Sequence, residues 1–203
     1  MAEVTQPAEF EWRDVEIPGG TVPVSLVRLA IDRETLVSQS LVQFPPGWAR
    51  PESGWYSVDE EFLVLEGGLH MSGATYHAGD YALIPAGYLR FASTTPEGAL
   101  ILAWFSGRAE WTEDTAHGRE YAAHRLTRAT WSALPDHRGP AGAGRLLRRE
   151  GTLSTWILTG ELAIEAPAAA DLFSIPDHTW AQTPVGDILP VMSSPVFARL
   201  HRP

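Results

Sequence analysis

The fold is indicated by two pieces of the chain that read Glu60-Glu-Phe-Leu-Val-Leu-Glu-Gly67 and, starting twelve residues after Gly67, Gly79-Asp-Tyr-Ala-Leu-Ile-Pro85-Ala-Gly87-Tyr-Leu-Arg90. Each piece is a run of aliphatic and aromatic residues bounded by glycine or proline, which is typical of short strands joined by turns. The pair Gly67-Gly68 is predicted to be a hairpin turn. Further predicted strands cover Val22–Ile31, Leu36–Phe44, Glu61–Leu65, Leu69–Met71, Tyr81–Ile84, Leu89–Ser93 and Leu100–Phe105. Strands at intervals of about 8–12 residues, with almost no helical periodicity, favour an all-β sandwich or barrel.

These residues also give residues 44–105 a resemblance to a known family. The stretch resembles the cupins, whose two motifs are G-x5-H-x-H-x3/4-E-x6-G and G-x5-P-x-G-x2-H-x3-N. Glu60 and Gly67 fit the end of the first motif, and Gly79, Pro85 and Gly87 fit the second. The resemblance implies a cupin (double-stranded β-helix or jelly-roll) barrel with its site inside the wide mouth. It also implies a homodimer, because cupins commonly pair edge strands or exchange N-terminal strands.

The chain departs from the family at the metal ligands. The two histidine positions of the first motif hold Tyr56 and Gly54, or the residues immediately before them. Arg90 stands at the histidine of the second motif and Thr94 at its asparagine, so that Glu60 alone remains of the family's ligands. Divalent first-row metals need about three or four well-placed ligands. The sequence therefore predicts a site with no metal and no other cofactor.

We expect Glu60 and Arg90 to point into the barrel and to pair through a bidentate contact where the family holds its metal. Such a pair would either bind and polarise an anionic or carbonyl-bearing ligand, or form a closed salt bridge that fills a dead site. Strand alternation places Tyr56 on the same face as Glu60. Its predicted role is that of a proton donor or of a wall residue.

Two tryptophans and one histidine complete the predicted site. Trp48 and Trp55 lie in the first motif, where they would stack on a planar substrate or pack in the core. His70 follows on the next predicted strand, as a substrate contact or as a packed or surface residue. A non-standard metal site built from His70, Glu60 and one further residue is the alternative to the metal-free site.

The second half of the chain repeats the first in weak form. Asp171-Leu-Phe-Ser-Ile-Pro176 resembles Asp80-Tyr-Ala-Leu-Ile-Pro85, and Trp156–Leu162 resembles Leu63–Leu69. Internal similarity of this kind predicts a degenerate bicupin. The alternative is that the later strands only close or dimerise the first barrel. The predicted organisation is a first cupin barrel with the site over residues 1–108, a linker or short helix over 109–130, and a shortened cupin-like repeat over 131–203.

Composition narrows the possible partners. The 203 residues include 25 acidic and 15 basic side chains, and the resulting charge of −10 argues against nucleic acid as a partner. There is no cysteine, and hence no disulfide, thiol nucleophile or Cys-ligated zinc. The N-terminal residues lack the apolar segment of a signal peptide. The longest apolar run, Ala99–Phe105, is far shorter than the roughly 20 residues of a membrane helix, so a cytoplasmic protein with no membrane contact is expected.

The leading interpretation is a metal-independent cupin enzyme of the isomerase, cyclase or lyase type. Its substrate would be a small, largely apolar organic molecule held inside the barrel, and the resemblance places some enzymes of this kind in natural-product metabolism. Glu60 would act as general base, Arg90 as electrostatic stabiliser and Tyr56 as acid. The first alternative is a non-catalytic small-molecule-binding or regulatory cupin. A metal-dependent dioxygenase is a third and weaker interpretation.

Overall fold

The computed structural model of this chain describes residues 3–113, 127–139, 141–150, 153–162 and 165–201. These residues form β-strands and two short 3-10 helices, Pro7–Glu9 and Trp131–Ala133, and they include no α-helix. No helix within these ranges is long and apolar enough to cross a bilayer. Most of the segment predicted as a linker or short helix lies outside the described residues. Its two described ends are strands, Trp111–Glu113 and Thr127–Thr130.

The chain divides into two compact units. The first unit is Glu11–Thr130, and the second unit combines Met1–Phe10 with Trp131–Pro203. The predicted organisation had placed the whole N-terminus in the first barrel. The difference arises because Thr5 forms an isolated antiparallel bridge with Trp180, in which their backbones exchange hydrogen bonds of 2.8 and 3.1 Å.

The described part of the first unit contains twelve strands. They are β1 (Arg13–Val15), β2 (Val24–Ile31), β3 (Ser38–Phe44), β4 (Trp48–Arg50), β5 (Gly54–Tyr56), β6 (Glu60–Met71), β7 (Ala74–His77), β8 (Asp80–Ile84), β9 (Ser93–Thr95), β10 (Ala99–Phe105), β11 (Trp111–Glu113) and β12 (Thr127–Thr130). The main sheet has the order β1-β2-β3-β10-β6-β8-β12, and its pairs are antiparallel. Strands β4, β9 and β7 extend from the far end of β6, and β5 pairs with β11.

Gly67-Gly68 was predicted to be a hairpin turn, and that prediction is wrong, because both glycines lie within strand β6. The strand continues through both glycines: its first part pairs with β8 and β10, and Gly68–Met71 pairs with β7. The register against β10 shifts by one residue at Leu65, between Val64 and Glu66, which is the mark of a β-bulge. Gly67 has a φ of 68°, and a Cβ on it would lie 2.1 Å from the carbonyl oxygen of Gly98. Glycine therefore lets the strand bend across the barrel without ending.

Alternate residues of these strands fill the interior of the first unit. Phe62 and Val64 of β6, Ile84 of β8 and Ile101 of β10 are buried together in one apolar cluster. The opposite face of β6 is also buried at Glu61, which is only 2% exposed and accepts a 2.6 Å hydrogen bond from the Tyr81 hydroxyl. Glu61 is therefore a buried, hydrogen-bonded carboxyl group and not a solvated charge.

The described part of the second unit repeats the strand order of the first. Its strands are β13 (His137–Gly139), β14 (Gly142–Glu150), β15 (Leu153–Leu162), β16 (Ala169–Ser174), β17 (Trp180–Thr183) and β18 (Val196–His201). They are arranged β13-β14-β15-β18-β16-β17, again with antiparallel pairs. The run β14-β15-β18-β16-β17 has the same connectivity as β2-β3-β10-β6-β8. This recurrence supports the predicted duplication of the barrel.

The sequence similarities between the halves do not follow this correspondence. Trp156–Leu162 resembles β6 in sequence, but its strand β15 takes the place of β3 in the sheet order. Likewise, Asp171–Pro176 resembles β8 but begins in β16, which takes the place of β6. Short apolar strands that end in glycine or proline resemble one another in sequence. A strand of one half can therefore look most similar to a strand of the other half that does not occupy the same place in the sheet.

A buried polar network joins β16, β17 and β18 of the second unit. Asp171 Oδ1 accepts a 2.8 Å hydrogen bond from Gln182 Nε2, and Asp171 Oδ2 lies 3.0 Å from His201 Nε2. Burial raises the pKa of the Asp171 carboxyl, but the hydrogen bonds from His201 and Gln182 and the charge of Arg199 outweigh it, so that the pKa lies below its ordinary value. The ionised carboxylate therefore stabilises the fold.

We expect Asp171→Asn to lower the free energy of unfolding by about 1–2 kcal/mol at neutral pH. Because the folded pKa is depressed, the wild-type contribution is present above the unfolded pKa of about 3.9 and is lost as the pH falls through the lower folded value. Urea unfolding at pH 7 and at pH 3 measures both effects. The exposed Asp177→Asn removes the same charge and should cost little at either pH. A gap between Asp171→Asn and wild type that stays constant with pH would contradict this account.

Candidate functional site

A cavity of about 180 Å³ lies inside the first unit. Most of its surface is apolar and comes from inward-facing strand residues, among them Val42, Phe44, Phe62, Leu69, Met71 and Ile101. Polar groups reach it mainly from one side, where Arg50, Tyr56, Glu60 and Ser93 contribute to the lining. A mostly apolar cavity with a few convergent polar groups is the usual form of a small-molecule site.

Glu60 and Arg90 form the pair that the sequence predicts, with a different geometry. Arg90 Nη2 donates to Glu60 Oε2 at 3.1 Å, and Arg90 Nη1 donates to the carbonyl oxygen of Tyr88 at 3.2 Å. The contact is therefore single rather than bidentate. Glu60 Oε1 has no hydrogen-bond partner among the described residues, and the Glu60 side chain remains 18% exposed. Glu60 lines the cavity, whereas Arg90 is fully buried behind it.

Arg90 is held by its backbone as well as by Glu60. A strand was predicted over Leu89–Ser93, but β9 begins only at Ser93, and Arg90 instead exchanges backbone hydrogen bonds of 2.7 and 3.0 Å with Gly54. Gly54 occupies a histidine position of the family, and a Cβ there would lie 2.4 Å from the Trp111 ring. Burial lowers the pKa of the Arg90 guanidinium, while the charge of Glu60 acts in the opposite direction.

Tyr56 lies between two guanidinium groups. The Arg90 Cζ stands 4.9 Å from the centre of its ring, which is a cation–π distance. On the other side, Arg50 Nη1 donates to the Tyr56 hydroxyl oxygen at 3.2 Å. Tyr56 is buried and lines the cavity, so its phenol is oriented by fixed positive charges.

Arg50 is a site residue that the sequence motifs do not reveal. Its side chain is 5% exposed, and its Cζ lies 3.9 Å from the centre of the Trp111 ring. Trp111 was also missed, because it follows the last motif of the barrel and reaches the site only through the pairing of β11 with β5. A signal for Arg50 was present in Trp48-Ala-Arg50, where alternation puts Arg50 on the same face as Trp48.

The other predicted residues divide into two groups. Trp48 lines the cavity and is 2% exposed. Trp55 lies between Gly54 and Tyr56 in β5. Because Tyr56 lines the cavity, strand alternation turns Trp55 away from it. His70 is exposed, and its Nδ1 lies 3.3 Å from the Thr75 hydroxyl. Its neighbours Leu69 and Met71 line the cavity, so strand alternation points His70 away from it. His70 and Trp55 are therefore not cavity residues.

The cupin resemblance implies a divalent metal, and the residues around Glu60 do not fit one. Glu60 Oε2 already accepts from Arg90, and a fixed guanidinium repels a second cation at that place. Arg50 brings a further positive charge to the same region, close enough to lower the pKa of Arg90. In the part of the chain that the structure describes, no three His, Asp or Glu side chains come together as metal ligands would.

The fold matches several solved structures. A candidate dioxygenase from Nostoc punctiforme has a TM-score of 0.79 at 16% identity, over 98% of this chain and 81% of that one. Hazelnut (Corylus avellana) vicilin has a TM-score of 0.57 at 12% identity, over 98% and 85% of the two chains. A deletion mutant of Bacillus subtilis oxalate decarboxylase has a TM-score of 0.56 at 12% identity, over 98% and 76%. Identities this low show the fold alone, and they confirm the predicted all-β cupin fold.

The family of this chain is shown by its sequence, through a family model and not through an individual curated protein. A search of curated proteins found no match. Residues 3–115, which are more than half of the chain, match the family described as "Domain of unknown function (DUF4437)". This range contains every residue that lines the cavity, together with Arg90 and Trp111. The chain is therefore a member of the DUF4437 family, with a cupin fold.

Proposed function

We propose that the first unit is an enzyme that moves a proton on a small, largely apolar carbonyl compound, as an isomerase, cyclase or lyase does. One observation carries this proposal: a carboxylate, Glu60, and a phenol, Tyr56, line the same apolar cavity, and each is held by a buried guanidinium. Proton transfer between carbon and oxygen needs a base and an acid at fixed positions on an otherwise inert surface. The small organic molecule is thus the partner of this site.

The chemistry follows from the free atoms of the two groups. Glu60 Oε1 takes a proton from a carbon next to the carbonyl, and the electron pair of that C–H bond moves to the carbonyl oxygen. The Tyr56 hydroxyl donates to the oxyanion that forms, and Arg50, on the same phenol oxygen, stabilises the negative charge that develops there. Return of the proton at another carbon gives an isomer, whereas departure of a leaving group gives an elimination product. Arg90 is a positioning residue in this scheme, because it acts through Glu60.

The competing interpretation is a binding protein without turnover. Among the cupin-fold proteins similar to this chain, one is named a decarboxylase and another a candidate dioxygenase, which supports an enzymatic role. A purely structural pair would use both oxygens of Glu60. The free Oε1 and the residual exposure of Glu60 toward the cavity favour a catalytic base over a salt bridge that only closes an inactive site.

The test is proton exchange into small carbonyl compounds in D₂O. A panel of ketones, enones and unsaturated acids of one-ring size is incubated with the protein, and loss of C–H signal is followed by proton NMR. We expect exchange of at least one compound to be accelerated, and Glu60→Gln to slow it by about 100-fold or more. Binding of the same compound, measured by calorimetry, should persist in Glu60→Gln.

The matched control is Glu97→Gln, which removes one exposed carboxylate of the same unit that does not line the cavity. It should exchange at the wild-type rate. If wild-type protein binds members of the panel but accelerates exchange in none of them, the enzyme proposal fails and the binding protein remains. Equal loss of rate in both variants would remove Glu60 from its assigned role.

A further inference from the structure

Three polar side chains face the cavity from one pair of strands. Arg50 and Ser93 are directly opposite each other in the antiparallel pair of β4 with β9, and Trp48 precedes Arg50 by two residues on the same face. Side chains directly opposite in such a pair have Cβ atoms about 5 Å apart. All three residues line the cavity. They form a row of hydrogen-bond donors along one wall, called the donor row below.

Each member of the donor row has a buried polar atom with no hydrogen-bond partner among the described residues. These atoms are Arg50 Nε, Ser93 Oγ and Trp48 Nε1. Buried donors are normally paired, because an unpaired one loses its hydration without compensation. Three unpaired atoms on neighbouring residues that all line the cavity point to acceptors that arrive with a ligand.

The charge of the site favours an anion as the source of these acceptors. The described residues place no carboxylate within ion-pair distance of Arg50, whereas the Glu60 carboxylate is already paired with Arg90. The charged groups around Tyr56 are thus two buried guanidinium groups and one partly exposed carboxylate, that of Glu60. Glu16 is the other charged residue of the lining, and it is exposed at the mouth, where water screens it. A ligand with one negative charge would balance the interior.

We propose that the ligand of this cavity is a small monocarboxylic acid whose carboxylate is bound by the donor row. Arg50 and Ser93 take its two oxygens, and its apolar body lies along Phe62 and Ile101 toward Glu60. An engineered cavity of roughly 150 Å³ in another protein holds benzene, so a cavity of about 180 Å³ suits a body of one ring or a short chain. This assignment deepens the proposed function and uses the same cavity, but it depends on binding rather than on turnover.

The experiment compares acids with their neutral amides. Benzoate and cyclohexanecarboxylate are titrated by calorimetry against benzamide and cyclohexanecarboxamide, with thermal stabilisation as a second readout. We expect the acids to bind at least tenfold more tightly than the amides. Arg50→Gln should weaken the acids at least tenfold and the amides little, because only the acids use the guanidinium. Ser93→Ala should weaken the acids several-fold.

Arg33→Gln is the matched control, since it removes an exposed arginine of the same unit and should bind the acids as the wild type does. If Arg50→Gln does not fold, Arg50→Lys keeps the charge without the planar fork and should bind the acids with intermediate affinity. The wild-type comparison of acids with amides needs no variant. Equal affinity for acids and amides, or no binding of the acids at about 10 mM, would overturn the proposal.

These outcomes are separable from those of the proton-exchange test. Acid binding that depends on Arg50 and persists in Glu60→Gln, without any exchange, would support the donor row and refute the enzyme. Exchange of neutral ketones that depends on Glu60, in a protein that binds the acids no more tightly than the amides, would support the enzyme and refute the donor row.

Discussion

Arg90→Met is expected to lower the free energy of unfolding by about 3 kcal/mol or more in urea at neutral pH. Removing one partner of a buried pair leaves the other charge uncompensated, which is the costly way to break such a pair. Arg90 is fully buried, and methionine would also leave the carbonyl oxygen of Tyr88 and the face of the Tyr56 ring without their cation. The Glu60 carboxylate would then stand in an apolar cavity with no guanidinium beside it.

The double variant Glu60→Gln with Arg90→Met separates charge from packing. Replacing both members of a buried pair is often close to neutral, so the double variant should recover much of the stability that Arg90→Met loses. Arg108→Met breaks an exposed pair with Glu110 and should cost less than about 0.5 kcal/mol. A double variant as unstable as Arg90→Met alone would show that Arg90 acts by packing and not by charge.

Gly67→Ala is expected to lower the free energy of unfolding by about 3 kcal/mol. The φ of 68° is strained for alanine, and the new Cβ would lie 2.1 Å from the carbonyl oxygen of Gly98. Because that oxygen belongs to the backbone that leads into β10, relief requires the two central strands to move apart. Thermal unfolding compared with wild type measures the loss.

Gly73→Ala is the matched control for this change. Gly73 has a φ of 76°, but a Cβ on it would meet no atom within 4 Å. Its expected cost is therefore the conformational term alone, about 1 kcal/mol. Similar losses in both variants would mean that the close approach of Gly67 to Gly98 contributes nothing, and that backbone conformation explains the whole effect.

Much of the first unit can be predicted from the sequence because local signals and long-range pairing agree there. Gly79 and Pro85 lie on either side of β8 (Asp80–Ile84), as the pattern indicates. The prediction of a turn at Gly67-Gly68 failed because a glycine pair is a local turn signal, whereas the continuation of β6 through it depends on pairing with the distant β10 and with β7. In the second unit, the order of the strands depends on pairing that the weak similarity between the halves does not encode.

The candidate site was predictable where the cupin motifs reach and not beyond. The resemblance to the cupin motifs implied the pairing of Glu60 with Arg90, and strand alternation placed Tyr56 on the same face as Glu60. Arg50 lies outside any motif and becomes a site residue only through the pairing of β4 with β9 and the Trp111 ring. His70 was misplaced because its direction depends on whether β6 continues through Gly67-Gly68.

Because β6 is one continuous strand from Glu60 to Met71, it limits the insertions and deletions that this segment can accept. One strand supplies Glu60 at its start and the inward-facing Leu69 and Met71 at its end. Glu60 and Leu69 are nine residues apart and share a face because of the one-residue bulge at Leu65. Inserting or deleting a single residue between them would therefore turn one of the two groups out of the barrel. Drift in this segment is thus confined to substitutions, whereas length changes must fall in the loops at either end of the strand.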